Sequence, residues 1–556
     1  MNPPNMKRIT RPAMLAALCA FALAPLGTGA QNPQTVPAWD FAVDAFGAKG
    51  NGTADDTAAV QAAVDEAAKA GGGKVEFRGG AIYLVTSVNL SSGITLEGNG
   101  ATVRRPDKTP GRFTRMFTTQ NHPWLSDADS APLVIRGLTL DGNRQNQGAY
   151  SKYEIEHAHL LFLMGAEAPA AQRGRLRVIV DGCTFKDSPA DGVSVFTNVA
   201  AQITNCTAIE CFRGGIVVTG GHTTVQVSNF TGRGVTHRSG LHWEVDGAGF
   251  GGSMATDSIV QNVLLDGDFA AGLAPGSTFI ATGVVCRGPG LNVYAPGSTV
   301  QISDSMLSVG AQDGYGNRVV HPGDVTFARC RFTVSEKGEK EEKDRALAGL
   351  TVTWNISGTS FKGLRMRLID CRFVADESVE PADTTYAIYT TPDVLANDNR
   401  LFVEGGEVSK AFDYALHVTQ GGRAVLKGTA LNAATGVYWG IAKDFSSDLE
   451  VDGATSSGAT FMHIGSSDRE STLTQRNLEM DEAQSGIGTT YGIGANTYRG
   501  GRILYVESSP LGRVTGLAGD RARLKAPLAG HTCEWVCVAS GLPAAVSWKP
   551  VAAVGE

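Results

Sequence analysis

The chain has 556 residues, with 69 glycines and a formal net charge of −7. Hydrophobic residues make up 42% and charged residues 19%, a balance that excludes a disordered chain. The glycines follow no three-residue period, which excludes collagen. The acidic balance disfavours nucleic acid or an anionic membrane as the main partner, and no apolar run is long enough to span a bilayer.

The N-terminal segment is typical of a secretory signal. Lys7, Arg8 and Arg11 precede an apolar run at 14–26, and the small residues that follow predict cleavage after Ala30. We therefore expect a secreted or periplasmic protein. In such an oxidising compartment, Cys533 and Cys537 suggest a local disulfide.

The first structured segment predicts a helix followed by short strands. Apolar residues recur at helical spacing over 57–70, and Gly71 to Gly73 end the pattern. Short β-rich runs separated by Gly or Ser turns then predict strands at 74–77, 82–85 and 94–96.

Downstream, the sequence repeats with a period of roughly 20–25 residues, which is typical of solenoids. Each repeat has a strand, a polar corner, an apolar residue and a glycine before the next strand. Because a solenoid grows by adding coils, one domain can hold most of this chain. Cysteines recur in similar local contexts and predict a buried ladder: Cys183, Cys206, Cys286, Cys330 and Cys371.

Two segments carry a resemblance to a known group of proteins. FGAKGNGTADDTAAVQAAVD at 46–65 and LTLDGNR at 138–144 resemble the opening of the pectate-lyase-like right-handed parallel β-helix superfamily. That superfamily includes polygalacturonase-like hydrolases, pectate lyases, mannuronan epimerases and phage tailspikes. The resemblance implies an all-β, right-handed parallel β-helix with an N-terminal capping helix. Together, the resemblance, the N-terminal signal pattern and the composition changes along the chain predict three segments. These are a signal peptide at 1–30, the β-helix at 31–470, and a linker with a small C-terminal β module at 471–556.

The strongest cluster of candidate catalytic residues lies in the segment GVTHRSGLHWEVDG. Strand alternation over 241–246 predicts that His242, Glu244 and Asp246 point outward together. Glu244 and Asp246 would then lie about 6.6 Å apart, two strand positions along. This matches the ~6.5–9.5 Å between the acid and the base of an inverting glycosidase. His242 is expected to tune either carboxyl group or to bind substrate.

Further residues are candidates for holding the substrate. Arg213 and Arg238 occupy matching positions before successive strands and suit a carboxylated or sulfated sugar. Asp191 lies one coil away, just before a glycine. The resemblance also implies a lyase alternative, in which Arg213 or Arg238 is the base, often with calcium, and His237 or His242 is the alternative base.

These residues predict an exported enzyme that cleaves the glycosidic bonds of an acidic polysaccharide, with hydrolysis by Glu244 and Asp246 placed first. The alternatives are a polysaccharide lyase acting by β-elimination and a non-catalytic glycan-binding or adhesin-type β-helix. We expect no resident cofactor, with calcium as the exception for a lyase, and a monomer or a trimer. Secondary candidate residues are Asp141, Arg144, His157, His159, Asp313, Arg318 and His321.

Overall fold

The structure is a computed structural model. It describes residues 40–109, 114–121, 126, 128–148, 157–165, 174–234, 240–244, 255–287, 290–309, 317–320, 323–334, 347–353, 355–356, 359–360, 365–375, 385–390, 399–418, 423–439, 448–458, 460–464, 471–484, 486–489, 497–527, 531–540 and 546–553. The predicted signal segment lies outside these residues, as do Asp246, His237, Arg238, Asp313 and His321.

The described chain winds into a right-handed parallel β-helix with three faces, as the sequence predicted. Each strand of a face pairs in parallel with the strand one coil later. Face 1 consists of Asp40–Ala42, Gly73–Glu76, Ile94–Glu97, Leu133–Arg136, Leu176–Asp181, Val199–Thr204, Thr223–Arg233, Thr256–Leu265, Thr278–Cys286, Thr299–Ser303, Asp324–Ala328, Arg365–Ile369, Arg400–Glu404, Arg423–Lys427, Asp448–Asp452, Thr472–Arg476 and Thr497–Gly500.

Face 2 joins face 1 because three long strands run through the corner between them. The strands shared by both faces are Thr223–Arg233, Thr256–Leu265 and Thr278–Cys286. The other strands of face 2 are Asn51–Asp55, Ile82–Leu84, Thr102–Arg104, Thr139–Asp141, Thr184–Lys186, Thr207–Ile209, Met306–Val309, Arg331–Val334, Arg372–Ala375, Glu407–Val408, Ala430–Leu431 and Thr455–Ser456.

Face 3 is a separate sheet of 15 strands. Its strands are Val88–Asn89, Phe117–Thr118, Leu161–Leu163, Asp191–Val195, Gly214–Val218, Leu241–Glu244, Phe269–Gly272, Leu291–Tyr294, Arg318–Val320, Leu347–Thr353, Thr385–Thr390, Tyr414–Val418, Thr435–Trp439, Thr460–Ile464 and Gly486–Thr489. A short hairpin pairs Asn355–Ile356 with Thr359–Ser360.

Apolar side chains from all three faces fill the interior in one continuous core. The five recurring cysteines are buried there, which confirms the predicted ladder. A stack of coils needs no thick core, because each coil buries its apolar side chains against the coils on either side.

The predicted N-terminal helix is present as Thr57–Lys69, and its apolar stripe faces the first coils. Asp55 accepts a hydrogen bond from the backbone N–H of Thr57 at 3.0 Å. Asp56 instead accepts the backbone N–H groups of Lys49 and Gly50 and so fixes the preceding loop. Short 3₁₀ turns lie at Val43–Phe46, Arg144–Asn146 and Glu482–Gln484. No helix in the described part of the chain is long and apolar enough to cross a membrane.

The C-terminal residues form a separate five-stranded sheet. Its strands are Glu479–Asp481, Ile503–Val506, Arg521–Leu524, Thr532–Ala539 and Ser547–Ala553. The suggested disulfide between Cys533 and Cys537 is wrong, because the structure forms no bond between the two sulfur atoms. Both residues lie on one strand, where four positions of extended chain separate the Cα atoms by about 13 Å, beyond the reach of a disulfide.

Candidate active site on face 3

The strand Leu241–Glu244 presents two polar side chains on the outside of face 3. Leu241 and Trp243 are fully buried in the core, where the Trp243 indole N–H donates to the hydroxyl of Ser258 at 2.9 Å. His242 and Glu244 alternate with them and point outward, half-buried. Their ring nitrogen Nδ1 and carboxylate Oε1 lie 3.5 Å apart. Strand alternation alone thus places an imidazole beside a carboxylate.

Arg213 connects this strand to the preceding coils. It lies just before the strand Gly214–Val218, and its Nη2 donates to Oε2 of Glu244 at 2.8 Å. Its Nε lies 4.0 Å from Oδ1 of Asp191. The guanidinium therefore lies between two carboxylates that come from different coils.

Asp191 begins its strand on face 3 and is 1% exposed. Its Oδ2 lies 3.0 Å from Nδ1 of His159, which is also buried. Burial lowers the pKa of His159, and the charge of Asp191 opposes that effect only in part. A buried carboxylate needs compensation, which the Arg213 guanidinium supplies as a charge and the His159 imidazole as a polar neighbour.

A second cation lies at the N-terminal end of the same cluster. The Cζ atom of Arg115 lies 3.5 Å from the centre of the Phe162 ring, and Phe162 in turn stacks on His159. Burial lowers the pKa of Arg115 to about 10, so the group stays charged at neutral pH. Arg115 bonds the side chain of Gln120, and within the described ranges no carboxylate pairs with it.

The cluster is a chain of ionisable side chains from successive coils of face 3. Its order is His159, Asp191, Arg213, Glu244 and His242, and Arg115 with Phe162 lies beside the first of these. Glu244, Arg213 and His242 keep part of their surface exposed, whereas Asp191 and His159 support them from beneath. We call these seven residues the ionic cluster.

The structure brings four of the predicted site residues together: Asp191, Arg213, His242 and Glu244. Three others, Asp246, His237 and Arg238, lie outside the described residues, so their roles stay predictions.

Among the secondary candidates, His159 joins the ionic cluster. Asp141 lies on face 2, where its Oδ2 lies 3.1 Å from Nζ of Lys186.

Sequence reasoning missed Arg115 and Phe162. Arg115 belongs to no repeated pattern, and Phe162 is one of several apolar residues in its segment. Phe162 lies on the same coil as His159, and only the pairing of strands from different coils places Arg115 beside them.

The described residues do not suit a calcium ion. Calcium prefers a shell of oxygen ligands, whereas here a guanidinium occupies the space between the carboxylates of Asp191 and Glu244. Over the described ranges, no group of three or more His, Cys, Asp or Glu side chains is arranged to hold a metal.

No known family profile matches this chain. Part of the chain is similar to curated bacterial enzymes. It is 34% identical over 118 residues to mannuronan C5-epimerase AlgE4 of Azotobacter vinelandii, covering 19% of this chain and 20% of the relative. It is 33% identical over 129 residues to alginate lyase 7 of the same organism, covering 20% of this chain and 14% of the relative. The chain thus spans a fifth or less of the length of these relatives.

One solved structure that the comparison matches to this chain is the A-module of mannuronan C-5 epimerase AlgE6 of Azotobacter vinelandii. The match covers 75% of this chain and 99% of that one, at 16% identity and a TM-score of 0.36. The assignment of the fold rests on the strand pairing described above.

Proposed function

We propose that this protein is a polysaccharide-active enzyme that removes the C5 proton of a uronate unit, as a lyase or an epimerase. The observation that carries the proposal is the ionic cluster, in which cations, carboxylates and an imidazole share one exposed sheet face. The partial similarity to a mannuronan epimerase and an alginate lyase supports a uronate polymer as substrate.

Arg115 and Arg213 suit the carboxylates of such a polymer. A guanidinium binds a carboxylate through paired hydrogen bonds, and both side chains lie on face 3. The guanidinium of Arg115 lies over the ring of Phe162. Along face 3, two strand spacings separate Phe162 from Val217, whose strand begins directly after Arg213. Two strand spacings are about 10 Å, so the two cations can hold different units of one chain.

His242 is the best-placed base among the described residues. It is half-buried on the outside of the sheet, whereas His159 is 3% exposed and supports Asp191 from within. Oε1 of Glu244 lies 3.5 Å from Nδ1 of His242, where the carboxylate can orient the imidazole for proton transfer. We therefore assign proton abstraction to His242 and a positioning role to Glu244.

The step needs no oxidant or reductant. His242 takes the proton from C5, and the electron pair is stabilised by the uronate carboxylate bound to arginine. In a lyase that pair forms the C4–C5 double bond while the bond from C4 to the leaving oxygen breaks, and the protonated His242 returns its proton to that oxygen. In an epimerase solvent water delivers a proton to C5 from the opposite side, and His242 releases its proton to solvent.

Hydrolysis by Glu244 and Asp246 is the second candidate, because Glu244 does point outward as that hypothesis requires. A hydrolase needs one carboxyl group to carry a proton. In the structure Glu244 instead accepts a hydrogen bond from the Arg213 guanidinium, an arrangement that suits the role of acid less well.

One experiment separates these reactions. The protein is incubated with alginate and with polygalacturonate, and the products are read for ultraviolet absorbance, reducing ends and C5 configuration. Unsaturated ends indicate a lyase, and inversion at C5 without cleavage indicates an epimerase. Saturated reducing ends would show hydrolysis, and binding without any product would show a glycan-binding protein; either result overturns the proposal.

The role of His242 is tested by His242→Gln, with His222→Gln, in the turn before the face 1 strand Thr223–Arg233, as the matched control. We expect the first variant to lose about a hundredfold in kcat, the scale of general base catalysis. The control should keep the activity of the native chain. Equal activity of both variants would exclude His242 as the base.

A further inference from the structure

The C-terminal half of face 3 carries a row of stacked aromatic rings on its outside. Tyr389, His417, Tyr438 and His463 occupy equivalent positions on four successive strands. Their ring centres are 4.8, 4.5 and 5.2 Å apart, and neighbouring planes differ by 19°, 3° and 9°. The rings therefore form one continuous stack at the spacing of the strands.

A second, shorter row lies beside the first. Tyr386 and Tyr414 stack with ring centres 5.2 Å apart, and both contact His417 edge to face. Each of these strands has two outward residues separated by two buried ones, as in Tyr414 to His417, and each outward position forms one row. We call these six residues the aromatic patch.

The aromatic patch is half-buried and uncharged at neutral pH. Burial lowers the pKa of His417 to about 4 and also lowers that of His463, so both rings are neutral. Burial raises the pKa of Tyr386 to about 12 and keeps its hydroxyl protonated. Within the described ranges, the hydroxyls of Tyr386, Tyr389 and Tyr414 form no hydrogen bond to protein and face solvent.

The patch continues the outward row that contains the proposed base. From His242 the row passes along face 3 through equivalent positions to Tyr389. The intermediate residues are Ala270, Asn292, Arg318 and Thr351. Five strand spacings separate the two ends, which is about 24 Å along the helix axis.

We propose that the aromatic patch binds a distal stretch of the same polysaccharide chain that is held at the ionic cluster. This inference rests on the proposed function and extends it, because it makes the protein selective for long chains. Sugar rings present C–H groups and hydroxyls, and the patch offers ring surface and free hydroxyls that match both. The carboxylates of the polymer would be held by the arginines at the other end.

The dimensions favour a linear polymer over a protein partner. Six ring-bearing side chains in two rows form a narrow strip along the axis, whereas a stable protein interface buries about 800 Å² on each side. The strip also runs along the direction in which a chain leaving the ionic cluster would extend.

The test compares polymer with short oligomers. In Tyr389→Ser/Tyr438→Ser, we expect KM for polymeric alginate or polygalacturonate to rise about tenfold, since buried aromatic contacts dominate binding energy. Activity on dimers and trimers, which cannot reach the patch, should be unchanged. Tyr505→Ser, in the C-terminal sheet, is the matched control and should behave as the native chain.

A direct measurement of polymer binding distinguishes failure of the patch proposal from failure of the proposed function. If the native chain binds polymer through the patch but yields no product, the aromatic patch stands and the proposed chemistry fails. If the double variant binds polymer as tightly as the native chain, the patch proposal is overturned even when activity is present. If light scattering shows dimers of the native chain that the double variant does not form, while polymer binding is unchanged, the patch is instead a contact between copies of this chain.

A milder variant covers the case in which the double variant does not fold. Tyr389→Phe/Tyr414→Phe keeps both rings and removes two free hydroxyls. Loss of hydrogen bonds to sugar should raise KM for polymer about threefold. An unchanged KM in a folded variant of this kind, together with unchanged polymer binding, would count against the proposal.

Discussion

Arg213 and Glu244 come from adjacent coils of the β-helix, and the guanidinium Nη2 donates to the carboxylate Oε2 at 2.8 Å. The same guanidinium approaches the buried carboxylate of Asp191. A single side chain therefore fixes the position of the half-buried carboxylate of Glu244 relative to the buried carboxylate of Asp191.

Replacing Glu244 by Gln should reduce turnover more than substrate binding. The amide keeps the size of the side chain but loses the charge that orients His242 and pairs with Arg213. We expect kcat to fall about tenfold to a hundredfold, with a smaller change in KM. Glu450→Gln is the control, since Glu450 pairs with Arg476 on face 1 at 3.8 Å. Steady-state kinetics that do not distinguish the two variants would remove Glu244 from the site.

Replacing Asp191 by Asn should destabilise the fold. The change leaves Arg213 and His159 beside a neutral amide, and breaking a buried ion pair costs about 3–5 kcal/mol. Urea unfolding should show a clearly lower midpoint for the variant. Asp324→Asn, which breaks the exposed pair with Arg367, should cost less than about 1 kcal/mol. Similar midpoints for the two variants would show that Asp191 carries no buried charge.

Stability should fall as the pH drops from about 6.5 to 4, and His417 should account for part of the loss. Its pKa is lowered to about 4 by burial in the folded chain, whereas an unfolded histidine titrates near 6.5. The unfolded chain therefore binds a proton first as the pH falls, which costs on the order of 3 kcal/mol by pH 4.

The variant His417→Phe keeps the stacked ring and removes the titrating group. Its free energy of unfolding should depend less on pH in this window than that of the native chain. Tyr438→Phe, a neighbour in the same stack, should keep the native pH dependence. Denaturant titrations at several pH values measure both slopes, and equal slopes for the His417 variant and the native chain would contradict the assignment.

Gly215 should not tolerate a side chain. A Cβ atom at this position would lie 2.5 Å from the carbonyl oxygen of Gly240 and 3.1 Å from the ring of Phe230. We expect Gly215→Ala to destabilise the coil that carries Arg213 and to lower the melting temperature by several degrees.

A second glycine provides the matched control. Gly428 has a φ of +59°, and a Cβ atom there would meet nothing within 4 Å. Equivalent corners carry asparagine at positive φ, as at Asn205 and Asn229. Gly428→Asn should therefore be tolerated, and a large loss of stability in this variant would contradict the steric explanation for Gly215.

Much of the fold could be predicted from local patterns. Helical spacing of Val60, Ala63, Val64 and Ala67 predicted the N-terminal helix, and the observed helix buries those residues. The recurring cysteine contexts predicted a buried ladder, because residues in equivalent coil positions share one environment. The suggested disulfide failed for the opposite reason: spacing along the chain does not reveal that Cys533 and Cys537 lie on one extended strand.

Only part of the candidate site could be predicted from local sequence patterns. Alternation over Leu241 to Glu244 suffices to point His242 and Glu244 outward, since successive side chains of a strand lie on opposite sides. Arg115 had no such signal. Its place beside His159 and Phe162 depends on which strands become neighbours and in which register, and this is set by the lengths of the coils between them.

The sequence by itself therefore determined the kind of structure, a stack of coils with a capping helix, and the direction of individual side chains on a strand. Only the tertiary structure decided which residues of different coils meet. It placed Arg213 between Asp191 and Glu244, and it aligned four aromatic rings from distant segments into one stack. The physical reason is that strand periodicity is a local property, whereas the register between coils is fixed by packing of the whole core.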